Sequence, residues 1–161
     1  MISKKPTISV IMSTYNSSST VVNSVKSVLT QTYKDFELLI VDDCSTDDTY
    51  SVLQNLCSNY QNITLLRNNK NLGLTKSLNK LIHKARGQII ARQDDDDISH
   101  KDRFELQFNF IKKYNLDFST TRAITKPNNR VRPGLSMYFP KKILINYKNP
   151  FVHGTLMIKK N

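Results

Sequence analysis

Short apolar runs rich in β-branched residues alternate along this chain with segments of helical period, and that alternation admits few folds. Residues 7–13 (TISVIMS) read as a buried first strand, 36–41 (FELLIV) as a second, 63–66 as a short third and 88–92 as a fourth. Between them, Val21, Val22, Val25, Val28 and Leu29 fall at helical spacing. So do Val52, Leu53, Leu56, Cys57 and Tyr60, and then Leu74, Leu78, Leu81, Ile82 and Ala85. A fourth helix turns Phe104, Phe108 and Ile111 inward. The hydroxyls of Ser17 to Thr20 are expected to cap the first helix, Ser99 with Asp102 the fourth, and Gly87 to stop the third. Such alternation builds a mostly parallel, Rossmann-like sheet with helices on both faces, a three-layer α/β/α sandwich. Beyond Tyr114 the pattern thins. Residues 117–123 and 152–158 look like strands, and the Pro- and Lys-rich stretch between them like loop.

With 161 residues and 39% hydrophobic side chains, residues 1–161 suit a single domain around one core. No apolar run approaches the roughly 18 residues of a membrane-spanning helix. The first six residues (MISKKP) lead into only seven strand-like ones, without a signal-peptide pattern, so a cytoplasmic protein is expected. Cys44 and Cys57 show no metal spacing and suit a reducing compartment. The charge is lopsided. Twenty-four Lys and Arg against 13 Asp and Glu give +11, and after Asp117 there are nine basic residues and no acidic one. Such a surface is either simply solvated or faces a polyanion such as nucleic acid, anionic lipid or a phosphorylated substrate. No nucleic-acid motif or aromatic-studded basic face accompanies it, so nucleic acid is not the expected partner. Peripheral contact with an anionic membrane, at the inner face, stays open.

In an open parallel sheet, ligands bind beyond the carboxyl ends of the strands. Three polar clusters fall there: Thr14-Tyr15-Asn16, Asp42-Asp43 and the run Asp94-Asp95-Asp96-Asp97. Four adjacent carboxylates repel one another unless a cation or hydrogen-bond donors compensate. A hard divalent ion, Mg²⁺ or Mn²⁺, takes such oxygens, commonly one or two carboxylates plus substrate phosphates. Strand alternation would direct Asp94 and Asp96 to one side and Asp95 to the other. The plainer alternative is a solvated acidic turn, with Asp97 helping Ser99 to cap the next helix. A carboxylate of the Asp42-Asp43 pair can accept from a base N–H or a ribose hydroxyl, or form an Asx-turn while Thr46 caps the second helix. Thr14 and Tyr15 can contact a base or ribose, or be ordinary loop residues. The chain lacks a glycine-rich phosphate cradle, so metal and cations such as Lys76 or Arg92 would have to handle phosphate. The three histidines are dispersed, and His153, opening the last expected strand, reads as structural.

Taken together, four segments resemble the family 2 glycosyltransferases, enzymes of the GT-A fold that use nucleotide-diphosphate sugars. They are Val10 to Asn16 (VIMSTYN), Ile40 to Asp47 (IVDDCSTD), Asn71-Leu72-Gly73-Leu74 with Ser77-Leu78-Asn79, and Ala85-Arg86-Gly87 through Ile90 to Asp97. Asn149 to Thr155 (NPFVHGT) looks like the family's later strand. The resemblance implies that Thr14, Tyr15 and Asp43 hold the nucleotide base, usually uracil, with Asn16, Asp42 and Lys76 in the same nucleotide site. It implies Asp94 against the ribose or sugar, and Asp96, with Asp94, at the metal. Asp95 fills a position that is often small in relatives. The implied partners are a UDP-sugar donor and a glycan or lipid-linked acceptor, in surface polysaccharide synthesis and with inversion. Residues 7–117 would be the donor half. Residues 118–161, without Asp or Glu, would be an incomplete acceptor half lacking the family's downstream catalytic base, which leaves a catalytically silent nucleotide-sugar-binding module as the alternative.

Overall fold

The computed structural model describes residues 5–133 and 151–160. Strands β1 (Ile8–Thr14), β2 (Phe36–Asp42), β3 (Ile63–Arg67) and β4 (Ile89–Arg92) alternate with helices α1 (Val21–Leu29), α2 (Thr49–Cys57) and α3 (Leu74–Lys84). Helix α4 (Arg103–Lys113) follows, then short strands β5 (Phe118–Ser119), β6 (Ala123–Thr125), β7 (Arg130–Arg132) and β8 (Met157–Lys159). The main sheet has the order β3-β2-β1-β4-β8-β5, while β6 and β7 pair as a separate hairpin. β1 runs parallel to β2 and β4, and β2 to β3; β8 is antiparallel to both its neighbours.

Every residue of β1 and β2 is buried, the run of a strand covered on both faces rather than the alternation of a half-wet one. One face meets Val21, Val25 and Val28 of α1, Leu53 of α2, and Phe104 and Ile111 of α4. The other meets Leu81 and Ala85 at the end of α3. Those two apolar layers make the expected α/β/α sandwich. After β3 the chain crosses back over β2 and β1 to reach β4, so the strand order reverses between β1 and β4. At such a switch point the connecting helices leave on opposite faces, and a crevice opens between the strand ends.

Several local expectations are corrected. Thr20 starts α1 without a side-chain cap; instead the Ser17 carbonyl accepts from the N–H groups of Thr20 and Val21. Helix α4 begins at Arg103, not after Ser99, because the Ser99 hydroxyl is spent on Gln93 Oε1. Thr46 does not cap α2, since its N–H and hydroxyl both go to Asn16 Oδ1. Tyr60 lies past the end of α2 and is exposed. The strand expected over 152–158 is a 3-10 turn, His153–Thr155, followed by β8, so His153 opens a turn rather than a strand. The strand expected over 117–123 breaks into the two residues of β5 and, at Ala123, the start of β6 in the separate hairpin. Residues 134–150, with most of the stretch read as loop and the Asn149-Pro150 start of the later motif, lie outside the described residues.

Gly87 is needed for approach, not for a helix stop. Ala85, already extended, ends α3. A Cβ on Gly87 would stand 2.6 Å from the Ser9 backbone nitrogen and 2.8 Å from the Ile8 carbonyl carbon. The Gly87 N–H donates to Ser9 Oγ at 2.8 Å, and that hydroxyl donates to Glu37 Oε1 at 2.6 Å. Arg86 donates to the same carboxylate through its backbone N–H and its Nε, both at 2.8 Å. Burial opposes ionisation of Glu37, yet the Ser9 and Arg86 donors hold its carboxyl below the ordinary value.

Gly87→Ala should therefore cost about 1–3 kcal/mol, because rigid backbone of β1 must move, as read by chemical denaturation. Glu37→Gln should cost about 1–3 kcal/mol at neutral pH. A depressed folded pKa contributes stability above the unfolded value of 4.5 and loses it as pH falls through the folded value, so the two proteins should converge in stability below about 4.5. Parallel unfolding midpoints across that range would contradict the assignment.

Candidate active site

The crevice at the β1/β4 switch point is built by three loops that grip one another. The Asp43 N–H donates to the Thr14 carbonyl at 2.8 Å, and the Asn16 N–H to Ser45 Oγ at 2.9 Å. Asn16 sits at φ +51° and accepts from Thr46, so it fastens the β1 loop to the β2 loop. Ser17 Oγ donates to Asp95, which ties the β1 loop to the acidic loop. A cleft of about 330 Å³ lies among them, lined by Thr14, Tyr15, Ser17, Asp43, Gly73 and Asp95, with Ser13, Asn71 and Leu74.

Asp43 is buried and has no spare donor to seek. It accepts from the N–H groups of Leu72 (2.9 Å) and Gly73 (2.8 Å) and from Asn68 Nδ2 (2.8 Å). Burial alone would raise its carboxyl; the donors of Leu72, Asn68, Gly73 and Ser77 bring it below its ordinary value. Gly73, at φ +82° and ψ 158°, occupies a region essentially reserved for glycine, which lets the loop pass its N–H to Asp43. Asp43 thus pins residues 68–73 as one wall of the cleft. Asp42 is wholly buried; its Oδ2 meets Arg67 Nε at 3.1 Å and the Ser45 N–H at 3.2 Å. Asp42 Oδ1 and Thr14 Oγ1, on residues paired across β1 and β2, are buried without a hydrogen-bond partner among the described residues. Thr14 lines the cleft with its hydroxyl buried behind the surface. Tyr15 is 46% exposed over the same cleft. Lys76, exposed in the first turn of α3, is not among the cleft-lining residues.

The acidic loop does not keep strand parity. β4 ends at Arg92, and the Asp97 N–H closes a turn on the Asp94 carbonyl at 3.3 Å, so the repeat is three residues rather than two. Asp94 and Asp97 converge: a Cβ on Gly154 would stand 2.5 Å from Asp97 Oδ2 and 2.9 Å from Asp94 Oδ2. Asp95 turns to Ser17. Asp96 lines a second, larger cavity of about 1010 Å³ beside Asp97, Ile98, Leu106 and Ile124. Asp94 Oδ1 is paired with Arg92 Nε at 2.8 Å.

Beneath this loop lie residues that motif reading did not reach. Gln93, fully buried, donates to the carbonyls of Asp94 (3.2 Å) and Asp97 (2.8 Å) and to Ser24 Oγ (3.1 Å). Ser24 in turn donates to the Asp94 carbonyl at 2.7 Å. Arg103, buried at the start of α4, donates to Gln93 Oε1, the Gly154 carbonyl and the Arg92 carbonyl. Burial pushes its guanidinium down to about 10, against the pull of Asp97 and Asp94. Burial, with the charges of Asp94 and Asp96, raises the Asp97 carboxyl, and Arg103 and Arg92 only partly offset this. One signal in the sequence could have found Arg103: it shares the inward stripe of Gln107 and Ile111, where a charge is out of place.

Among the described residues no three His, Cys, Asp or Glu side chains form a ready cage for a metal. The donor set is nevertheless hard oxygen with unrelieved like-charge repulsion, which fits a Mg²⁺ or Mn²⁺ ion held by one or two carboxylates and completed by diphosphate oxygens. The turn sets Asp94 beside Asp97, while Asp96 lines the larger cavity, so the expected pairing of Asp94 with Asp96 is not kept.

The model of the family described as glycosyl transferase family 2 matches residues 9–159. The chain belongs to that family. A Bacillus subtilis (strain 168) protein named as the glycosyltransferase EpsE is 36% identical over 157 residues, covering 96% of this chain and 56% of its own. The UDP-Glc:alpha-D-GlcNAc-diphosphoundecaprenol beta-1,3-glucosyltransferase WfgD of Escherichia coli is 38% identical over 112 residues, 69% of this chain and 43% of its own. This family 2 chain therefore spans about half the length of these relatives. The crystal structure of Staphylococcus aureus TarS 1–349 in complex with UDP-GlcNAc superposes with a TM-score of 0.78 at 25% identity, over 97% of this chain and 45% of that one. The α/β/α sandwich is thus of the GT-A type.

Asp43→Ala should free the 68–73 wall and leave buried N–H groups unpaired, costing about 1–3 kcal/mol in denaturant unfolding. Tyr15→Ala, on an exposed ring, should change stability by less than about 0.5 kcal/mol. Equal stability of the two variants would refute the pinning role.

Proposed function

We propose that this chain is the donor-binding domain of a glycosyltransferase that takes a UDP-sugar with a divalent metal and passes the sugar, with inversion, to a glycan or lipid-linked acceptor of a surface polysaccharide. The observation that carries the reading is the gripped cleft at the β1/β4 switch point, with Thr14 and Tyr15 at one end and the acidic loop at the other. The UDP-GlcNAc complex of TarS and the diphosphoundecaprenol-linked acceptor in the name of WfgD support it.

Tyr15 offers an exposed ring to a flat base, beside Thr14 in the cleft wall. Asn16 and Asp42 hold the loops that present these groups, and Asp43 sets the width of the cleft through Gly73. In this reading Asp96 would hold the metal, and Asp94, its Oδ1 paired with Arg92, would lie against the ribose or sugar. A bound divalent cation would neutralise the diphosphate as it leaves. Arg92, paired with Asp94, partly offsets the charge of the acidic loop. The large cavity beside Asp96 is on the acceptor side, and the basic late part of the chain favours an anionic membrane nearby. Direct displacement also needs a base at the acceptor hydroxyl. Residues 118–161 contain no carboxylate, so none of them is assigned that role. Among the described residues no helix is long and apolar enough to cross a membrane.

Calorimetry should find UDP bound more tightly than ADP or GDP, and only weakly without Mg²⁺ or Mn²⁺. Asp96→Ala should abolish the metal dependence; Asp95→Ala should lower affinity through the lost Ser17 link while leaving that dependence in place. Equal affinity for the three nucleotides, or a metal dependence that survives Asp96→Ala, would overturn the reading.

A further inference from the structure

Helix α4 is apolar on two sides. Phe104 and Ile111 are buried against the sheet, yet Leu106 (64% exposed), Phe110 (51%) and Tyr114 (54%) repeat every four residues along the opposite side. Residues four apart share a helix face, so these three form one stripe. A helix apolar all round ordinarily buries both sides. Here the second side stays largely exposed, and the Phe110 and Tyr114 rings lie tilted against each other with centroids 4.8 Å apart.

The stripe does not stand alone. Leu106 shares the wall of the large cavity with Ile124 of the β6–β7 hairpin, so hairpin and helix flank one mouth. The hairpin too presents apolar side chains to solvent, Ile124 (66%) and Val131 (39%). Cations accompany both parts. Lys112 and Lys113 close α4, with the Lys113 ammonium 5.2 Å from the Tyr114 ring centre, and Lys126, Arg130 and Arg132 lie on or beside the hairpin strands. Of the nearby carboxylates, Glu105 accepts from Thr32, Asp102 precedes the first turn of α4, and Asp96 and Asp97 line the cavity itself. From residue 118 onward the chain has none.

We propose that this face, the outer stripe of α4 together with the β6–β7 hairpin, docks on an anionic lipid surface and sets the mouth of the large cavity against it. A protein partner would be met by the same apolar side chains, but charge decides between the two. Exposed aromatic and aliphatic side chains accompanied by Lys112, Lys113, Lys126, Arg130 and Arg132, with Asp96 and Asp97 in the cavity wall, match the interfacial region of an anionic bilayer, where each cation near the surface adds attraction and the apolar groups enter the headgroup boundary. The inference deepens the acceptor side of the proposed function and rests on that reading for its purpose, since a lipid-linked acceptor would then reach Asp96 without leaving the membrane. Its evidence is independent of the donor cleft.

The chain has no tryptophan, so Phe110→Trp makes a single-tryptophan reporter on the stripe, with Tyr60→Trp, between α2 and β3 at the opposite edge of the sheet, as control. With phosphatidylglycerol-containing vesicles the Phe110→Trp emission should shift to the blue while that of Tyr60→Trp stays put; with phosphatidylcholine alone neither should move. In vesicle flotation, Lys112→Gln, Lys113→Gln and Arg130→Gln should each weaken binding about five-fold, roughly 100-fold in combination. Tyr114→Ser should weaken it with its charge response intact. Equal binding to both vesicle types, or no loss in the triple variant, would overturn the proposal. So would a blue shift that grows with protein concentration in the absence of lipid, which would make the face a protein interface. UDP calorimetry on the same variants separates the two readings: unchanged UDP binding with lost flotation isolates the membrane face, whereas intact flotation without UDP binding overturns the donor site alone.

Discussion

Everything at the working edge of this molecule depends on holding four consecutive carboxylates at the end of a buried central strand. Neither solvent nor a paired strand does this. Beneath the loop, Gln93 and Ser24 take its carbonyls, and the Arg103 guanidinium takes those of Arg92 and Gly154. Burying a guanidinium costs several kcal/mol unless it is bonded and its charge answered. Here the bonds go to backbone and amide oxygens, and the answering charges are Asp94 and Asp97 just outside the core. The arrangement is reciprocal: the acidic loop lowers the cost of burying Arg103, and Arg103 lowers the cost of gathering the loop.

Gly154 is part of the same solution from the other side of the fold. Its backbone lies where any Cβ would run into Asp94 and Asp97. The short 3-10 turn that carries it leads directly into β8, which is zipped antiparallel onto β4. A residue sixty positions along the chain therefore sets how closely two carboxylates approach. At the other end of the crevice, Asp43 plays the matching part for the 68–73 wall. It spends its charge on backbone N–H groups, so the cleft is shaped by a buried carboxylate that need not touch what the cleft holds.

The alternation of strand and helix, the two-sided burial of β1 and β2 and the meeting of three polar clusters at one sheet edge were all determined by the sequence itself. Hydrophobic period and chain connectivity are local quantities, and a parallel sheet follows from them with little freedom. The family could be read as well, because VIMSTYN, IVDDCSTD and the acidic run each sit at a strand end that the period already locates. What only the tertiary structure decided are the partners. Ser99 was free to cap α4 until Gln93 claimed its hydroxyl; Gly87 was free to stop α3 until β1 stood against it. Asp94 was expected to act with Asp96, but the turn after Arg92 brought it beside Asp97 and Gly154 instead. These are contacts between residues 6 to 78 positions apart, or between groups whose direction a turn reverses. A one-dimensional pattern records which side chains are polar; it does not record which donor reaches them first, and that competition is resolved only when the elements pack.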